Sequence, residues 1–359
     1  MDLGNSHLNS KPDFPNVGTV IDACGGDEGI SEFFRNMLHQ KLLWTDKQYC
    51  PIGNPQRLLP SPLLSDAEGL RLWREVTRLP SYYQTDGEIE LFKKHGREVA
   101  LSVPPGAILI DLGCGDVRKA KPLLDYLEQL KNSVWYFAVD LSREALEHQM
   151  GILTPQYQYV KCCGLWGTFD NGLAWLNAQS FENPRFFMSL GSIFGNDHFD
   201  DAVKYLSSWR TKGFQRQTDA LLLTMDGTED PKTIWESYHD HIGLFEQFIR
   251  NGYKHSNRVL KQDWYRDEDW EFSGLTQEQP RMHRFIIRAK VDVTCPALNL
   301  ALPAGTEIDC YEAFKYPAEL MRAQFAKAGF HEVAYWKAPR VDIYQYLIVS
   351  GHEQPSLSN

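Results

Sequence analysis

Between residues 104 and 226 the chain alternates apolar runs with amphipathic stretches. Pro104–Asp111 predicts a buried strand and Lys119–Leu130 a helix. Val134–Asp140 (VWYFAVD) predicts a second strand, with a helix over Ser142–Met150. Tyr157–Cys163, Phe186–Leu190 and Ala220–Asp226 predict three more strands, with a helix over Ala202–Trp209. Strands at this spacing with helices between them imply an α/β fold built on a parallel sheet, whose ligands lie at the strand C-terminal ends.

Either side of this block the rhythm differs. Upstream, Val17–Asp22 predicts a short strand, and Ser31–Leu43 a helix with Ser31 as N-cap. Gln48–Pro62 is broken by prolines. Ser65–Leu79 predicts an amphipathic helix with Leu70, Trp73, Val76 and Leu79 on one face. A linker carrying Tyr82 and Tyr83 leads to a further helix over Glu88–Val99. Downstream of Gly227, Lys232–Asn251 reads as one long helical stretch and Arg281–Val293 as a strand that pairs with Thr306–Tyr316. Pro317–Gly329 predicts a helix, with closing strands at Ala334–Trp336 and Ile343–Val349. The segment of roughly 230–314 thus interrupts the sheet domain as an α+β insertion.

The chemistry gathers at the strand ends. Asp111-Leu112-Gly113-Cys114-Gly115 closes an apolar run with an acid and a tight Gly-x-Gly turn. Such a turn exposes bare backbone to a ligand. Arg118 stands where a dinucleotide fingerprint needs its third glycine, which argues against an NAD enzyme. Asp140 lies one βα unit later, where nucleotide folds place the carboxylate that grips ribose hydroxyls. Leu165 and Trp166, read in a turn, offer an apolar wall for an adenine; Gly191 sits in the loop after the fourth strand. A rival glycine loop, Ala23–Glu28, has no convincing second strand behind it and reads as a structural turn.

Composition narrows the classes. Hydrophobic residues make up 43% and aromatics 13%, which describes a globular chain. Ten Trp suit a pocket for a flat or cationic ligand as well as a core. The net charge of −10 argues against a nucleic-acid substrate. Seven Cys include no C-x-x-C pair, and His239 and His241, at i and i+2, point to different helix faces, so no metal is expected. The polar N-terminus lacks a secretory h-region and no run reaches membrane-span length; the expectation is a cytoplasmic protein without a membrane partner. Oligomeric state is left open.

Several stretches together resemble one family. They are Leu79–Thr85, the Asp111–Gly115 loop with Lys119, Tyr136–Ser142, Gly164–Leu173, Leu190–Asn196, Phe314-Lys315-Tyr316, Gly329-Phe330 and Val333–Trp336. Over about residues 58–350 the chain resembles the histidine-specific methyltransferases, which use S-adenosylmethionine (SAM), and most of all their fungal dimethylallyltryptophan N-methyltransferase branch. The resemblance implies a Rossmann-like class I SAM methyltransferase domain with an α+β substrate lobe. The parts would be an N-terminal extension (1–32), a helical part of the lobe (33–100), the SAM domain (101–229), the inserted lobe (230–314), the closing elements (315–351) and a tail (352–359).

The same resemblance implies that Asp111, Gly113, Gly115, Lys119, Asp140, Leu165, Trp166 and Gly191 hold SAM. Tyr82, Tyr83, Asn196 and Tyr238 would face a small amine substrate, with Asn196 and Tyr238 on its carboxylate and Tyr83, beside an acid, assisting proton removal. Trp264 would line the pocket or pack the lobe. In histidine-specific members a Glu and a Ser, four and two residues before the Lys of the closing Lys-aromatic pair, grip the imidazole. Here those places hold Tyr311 and Ala313, and Glu312 is one place out of register. A pocket without its polar partners loses discrimination for a polar ring. The expected reaction is therefore N-methylation of an aromatic, tryptophan-type metabolite of secondary metabolism. O- or amide N-methyl transfer, and a non-catalytic SAM-binding protein, are the alternatives.

Overall fold

The computed structural model describes residues 14–43, 57–115 and 117–351. The polar N-terminus up to residue 13, most of the proline-broken segment, Asp116 of the glycine loop and the tail from residue 352 lie outside them.

The chain begins with a short strand β1 (Val20–Asp22) and helix α1 (Gly26–Leu43). The helix starts five residues before the expected Ser31 cap, because the Asp22 carboxylate accepts hydrogen bonds from Cys24 N and Gly25 N and turns the chain there. Strand β2 (Arg57–Leu58) and helix α2 (Ala67–Val76) follow. Asp66 caps α2 through Gly69 N at 2.8 Å, and the buried face is Gly69, Leu72 and Val76, rotated from the expected stripe. Helix α3 (Tyr83–Ser102) starts one turn earlier than predicted, so Tyr82 is its N-cap residue and Tyr83 opens its first turn, rather than both lying in a linker.

The expected alternation follows, with β5 shifted three residues onward and α6 where no helix is predicted: β3 (Ile108–Leu112), α4 (Lys121–Gln129), β4 (Val134–Asp140), α5 (Arg143–Leu153), β5 (Val160–Trp166), α6 (Phe169–Ala178), β6 (Arg185–Ser189), α7 (Phe199–Gly213) and β7 (Ala220–Asp226). Two helices, α8 (Pro231–Tyr238) and α9 (Leu244–Leu260), replace the single predicted one; the break carries Gly243 at φ +70°. Strands β8 (Trp270–Glu278), β9 (Arg281–Ala289), β10 (Val293–Cys295), β11 (Leu300–Leu302) and β12 (Glu307–Phe314) precede α10 (Ala318–Lys327), β13 (Phe330–Lys337) and β14 (Ile343–Ser350).

The large sheet has the order β1-β5-β4-β3-β6-β7-β14-β13, and only β14 runs against the others. Its order reverses at β3, so the crevice that such a switch point creates opens beyond the C-terminal ends of β3 and β6. Apolar side chains bury both faces. Leu109, Tyr136 and Ala138 pack with α3, α4 and α5 on one side; Ile110, Phe137 and Leu221 pack with α6, α7 and α10 on the other.

The second sheet, β2-β12-β9-β8, forms the lobe. Phe285, Ile287, Ile308 and Ala313 on its inner face pack against α1, α2 and α9 through Leu38, Leu72, Phe245 and Ile249. The helical part expected as one block is therefore divided. Helices α1 and α2 bury their apolar faces in the lobe, whereas α3 buries Leu91, Phe92 and Val99 on the large sheet. Likewise β1, placed in an extension by the sequence, is the large sheet's own edge strand beside β5.

Asp66 links two lobe helices: besides capping α2, its carboxylate accepts Asn251 Nδ2 at 2.6 Å and pairs with Arg258, both on α9. Asp66→Ala removes a cap and leaves Asn251 without that partner, so it should lower stability by about 1–2 kcal/mol in urea unfolding, with Asp66→Asn costing less.

Candidate functional site

The ends of three strands, β3, β4 and β6, supply the first half of the site. The β3 end turns at Gly113 (φ +72°) and Gly115 (φ +49°), conformations that side chains resist. Gly113 N donates to Val139 O at 3.0 Å, which holds the loop against β4. A Cβ on Gly113 would meet Ile193 Cδ1 at 2.9 Å. Asp140 ends β4 with Oδ2 accepting Gly115 N at 3.2 Å and Oδ1 accepting Ser142 N at 3.1 Å. The N-cap of α5 is Ser142, not Asp140, so the Asp140 carboxylate keeps lone pairs for a ligand. Burial raises its pKa.

Asp111 lies beneath this loop, 1% exposed. Tyr136 OH donates to its Oδ2 at 2.7 Å, while Oδ1 has no hydrogen-bond partner. Burial pushes the Asp111 carboxyl up to about 6. After β6, Gly191 turns at φ +79° and donates its N–H to Glu88 Oε1 at 3.1 Å. Lys119 Nζ lies 2.6 Å from where a Gly191 Cβ would be. Lys119, Glu88 and Asp140 all lie close enough to Asp111 to act on its charge, and Asp111, Asp140 and Glu88 are all buried. Bare glycine backbone, a carboxylate at the β4 end and an acidic surround fit a ligand with ribose hydroxyls and positive charge, as SAM has.

Leu165 and Trp166 are not in a turn. Strand β5 continues through them, paired with Val139 and Asp140. Alternation sends their side chains to opposite faces. Leu165 is buried in the sheet core with Ile110 and Val139, so it offers no free wall. Trp166 donates Nε1–H to Leu141 O at 3.0 Å, beside Asp140.

The second half lies where the lobe meets the sheet. Lys315 follows β12 and Asp226 ends β7; their Nζ–Oδ2 distance is 2.6 Å with both side chains at 2% exposure or less. Tyr83 OH donates to the same Oδ2 at 2.7 Å. Lys315 also donates to Tyr238 OH at 2.8 Å, and Gln84 to that oxygen at 3.1 Å. Burial holds the Tyr82, Tyr83 and Tyr238 phenols well above their usual range, so they stay protonated donors. Tyr82 sits edge-on to Trp73 (5.4 Å) and Tyr238 (6.3 Å), and Tyr311 lies 6.4 Å from both Tyr238 and Phe248. The result is an aromatic enclosure with a buried ion pair at one end.

Tyr83, Tyr82, Tyr238, Tyr311 and Ala313 therefore come together. Asn196 and Trp264 do not join as expected. Asn196 Oδ1 accepts Phe314 N at 2.7 Å and its Nδ2 donates to Glu312 O at 3.4 Å, so the amide clamps the β12 backbone. Trp264 is 3% exposed in the lobe core, bonded to Ser256 Oγ at 2.9 Å and edge-on to Trp270. Glu312 sits opposite Arg284, beside Asp309, on the strand face away from Tyr311 and Ala313, so it does not replace the missing carboxylate. Burial pushes Glu312 up to about 7. Lys315, Asp226, Gln84 and Glu88 were missed as site residues. Only the i, i+4 spacing of Gln84 and Glu88 after the double tyrosine could have marked the last two.

Behind Tyr238, the His283 ring stacks at 4.4 Å, and His283 Nε2 lies 3.1 Å from His239 Nε2. Burial pushes His283 down to about 2. Among the described residues no three metal-ligating side chains gather, and no described helix is long and apolar enough to cross a membrane.

The sequence model of one family, described as histidine-specific methyltransferase, SAM-dependent, matches residues 48–350. Ergothioneine biosynthesis protein 1 of Neurospora crassa is 32% identical over 78% of this chain, which spans 32% of that protein's length. N-methyltransferase imqF of Aspergillus flavus is 29% identical over 77% of each chain. The 4-dimethylallyltryptophan N-methyltransferase easF of Epichloe festucae var. lolii is 27% identical over 81% of this chain and 90% of its own.

Two outcomes are expected of this site. Lys315→Met leaves the Asp226 carboxylate buried without its countercharge and should cost about 3–5 kcal/mol in thermal unfolding, with Lys315→Met/Asp226→Asn costing less. For His283 the folded pKa of about 2 lies below the ordinary 6.5, so between those values the unfolded chain binds a proton that the native one refuses. Stability should fall as pH drops through that window, and the pH slope of the unfolding free energy should be shallower in His283→Phe.

Proposed function

We propose, for a chain that belongs to the family of histidine-specific, SAM-dependent methyltransferases, that it methylates the amino nitrogen of a small aromatic amino-acid-derived metabolite of the tryptophan or indole type. The observation that carries the choice of acceptor is Tyr311 and Ala313, which turn apolar or phenolic groups into the enclosure where the family's imidazole partners would stand. Trp73, Tyr82 and Phe248 extend that apolar surface. The name of the Epichloe relative, a 4-dimethylallyltryptophan N-methyltransferase, supports an indole. The Neurospora relative's name supports the histidine arm of the test.

SAM, when bound, supplies a methyl group carried on a sulfonium. On this reading Gly113, Gly115 and Gly191 leave room for it, Asp140 accepts ribose hydroxyls and Lys119 meets its carboxylate. Asp111 and Glu88 place negative charge near the sulfonium, and Trp166 closes the side next to Asp140. An amine attacks only as the free base. Tyr83 oxygen accepts the proton from the substrate nitrogen while the Tyr83 O–H proton moves to Asp226 Oδ2, 2.7 Å away. Because burial keeps Tyr83 a phenol, it relays a proton and carries no charge of its own. The enclosure aligns the nitrogen and excludes water, and alignment of that kind can supply several kcal/mol.

Isotope-labelled SAM and a panel of histidine, tryptophan, 4-dimethylallyltryptophan, tyrosine and the corresponding amines, read by mass spectrometry, test the reading. Label on the amino nitrogen of the indole compounds is expected. Label on histidine alone overturns the acceptor; label on oxygen overturns the reaction type; no product and no SAM binding by calorimetry overturns both. Tyr83→Phe should lower kcat by about 10²–10⁴-fold with little change in KM for the amine. Asp140→Asn should weaken SAM binding by about tenfold or more while leaving the thermal midpoint near that of the parent.

A further inference from the structure

Among the described residues, Lys131, Ser192, Lys261 and Asn299 are the non-glycine residues at positive φ. Three of them close helical segments. Lys131 lies just past α4, Lys261 caps α9, and Asn299 ends the single turn at Pro296–Leu298. A left-handed residue is a common way for a helix to stop. Ser192, at φ +56°, closes no helix. It stands in the loop after β6, directly behind Gly191 at φ +79°. A serine held in this conformation costs free energy, and such residues persist where their surroundings fix them, most often at functional sites.

What fixes Ser192 is the end of a strand ladder. Strands β6 and β7 pair as far as Ser189 and Leu223, whereas β7 runs on to Asp226. Beyond that last pair, Asp226 N–H donates to Ser192 Oγ at 2.9 Å. Asp226 is 1% exposed, so without that oxygen its N–H would be a buried orphan. On its other side the same turn is held by α3, where Glu88 accepts Gly191 N. The Asp226 carboxylate meanwhile accepts Thr228 N on Oδ1 at 3.0 Å, and Tyr83 and Lys315 on Oδ2. A backbone shift at Asp226 therefore moves the whole polar end of the enclosure.

We propose that Ser192 is a positioning residue for the methyl transfer: from the turn that carries Gly191 it sets the backbone of Asp226, and with it the oxygen that takes the proton from Tyr83. The proposal rests on the amine-acceptor reading above and deepens it. The proton balance is that of the relay: the substrate nitrogen gives a proton to Tyr83 oxygen, and Tyr83 gives its own to Asp226 Oδ2. Ser192 touches neither substrate nor cofactor in this account. Its left-handed turn leaves Gly191 bare at the strand ends and still presents a hydroxyl to β7, which gives the strain a use.

Ser192→Ala and Ser192→Gly in the full chain test this. Both remove the hydroxyl, but glycine also relieves the strain, so Ser192→Gly should melt at or above the midpoint of Ser192→Ala. Hydrogen exchange at the Asp226 amide, read by mass spectrometry at single-residue resolution, should be about tenfold faster in both variants than in the parent. In the labelled-SAM assay, kcat for the best acceptor should fall about 10–100-fold in both. KM for that acceptor, and calorimetric affinity for S-adenosylhomocysteine, should stay within about threefold. A residue that served the fold alone would make kcat follow the thermal midpoint, so that glycine recovered what alanine lost. A Ser192→Gly chain with parental kcat overturns the proposal. So does an Asp226 amide that exchanges at the parental rate in both variants, or a loss of S-adenosylhomocysteine affinity that matches the loss of kcat. Failure of the amine-acceptor reading shows separately, as absent amino methylation by the parent chain, and the Asp226 amide then still decides whether Ser192 holds that backbone.

Discussion

The arrangement of both halves depends on one buried ion pair. Lys315 and Asp226 meet at 2.6 Å, almost wholly out of water, where the lobe sheet returns its chain to the large sheet. Taking two charges out of water costs several kcal/mol per ion, so the pair earns little as a source of stability. What it determines is position. Backbone bonds on either side reinforce it: Tyr316 N donates to Asp226 O and Lys315 N to Arg281 O, each at 2.9 Å. Separating the two by several ångströms would leave two buried charges without partners, so the pair favours one docking of β12 on the end of β7.

The polar groups of the aromatic enclosure are tied to that pair. Tyr83 reaches it from α3 and Tyr238 from α8, and Tyr238 is in turn stacked on His283 from β9. Helices α3 and α8, with β9 behind α8, thus converge on two charges. The aromatic residues around them have no comparable demand. They pack edge-on and tilted in a continuous apolar core, and their exchange for one another would cost far less than the loss of one ion. This difference would let the aromatic enclosure vary while its polar end stays in place.

The half at the strand ends is organised by a different constraint, the geometry of parallel strands that end side by side. Gly113, Asp140 and Gly191 come from three strands, yet each stands within a residue or two of its strand's C-terminal end. The order of the sheet brings those ends together. Helix α3 joins the two constraints. Its first turns carry Tyr83 and Gln84 toward the ion pair and Glu88 toward the Gly191 loop, while its remaining length is anchored on the large sheet by Leu91, Phe92 and Val99.

Local patterns determined the α/β alternation, the glycine loop and Asp140, because an apolar run that ends in an acid and a tight turn is written in a dozen neighbouring residues. The family resemblance, counted from the Lys-Tyr pair, implied that Tyr311 and Ala313 stand where other members carry polar groups. Trp166 was misplaced because a strand that ends in bulky residues looks like an apolar turn until its partners are known. Trp264 and Asn196 look the same in sequence whether they meet a ligand or the protein's own interior. Only the tertiary structure decided that one packs the lobe and the other clamps β12. It alone could reveal the Lys315–Asp226 pair, joined across 89 residues, and the unsatisfied Gln84 beside Tyr238, 154 residues away. Periodicity reports what each residue's near neighbours require; the balance of buried charges and hydrogen bonds is set by whichever distant residues the fold brings against them.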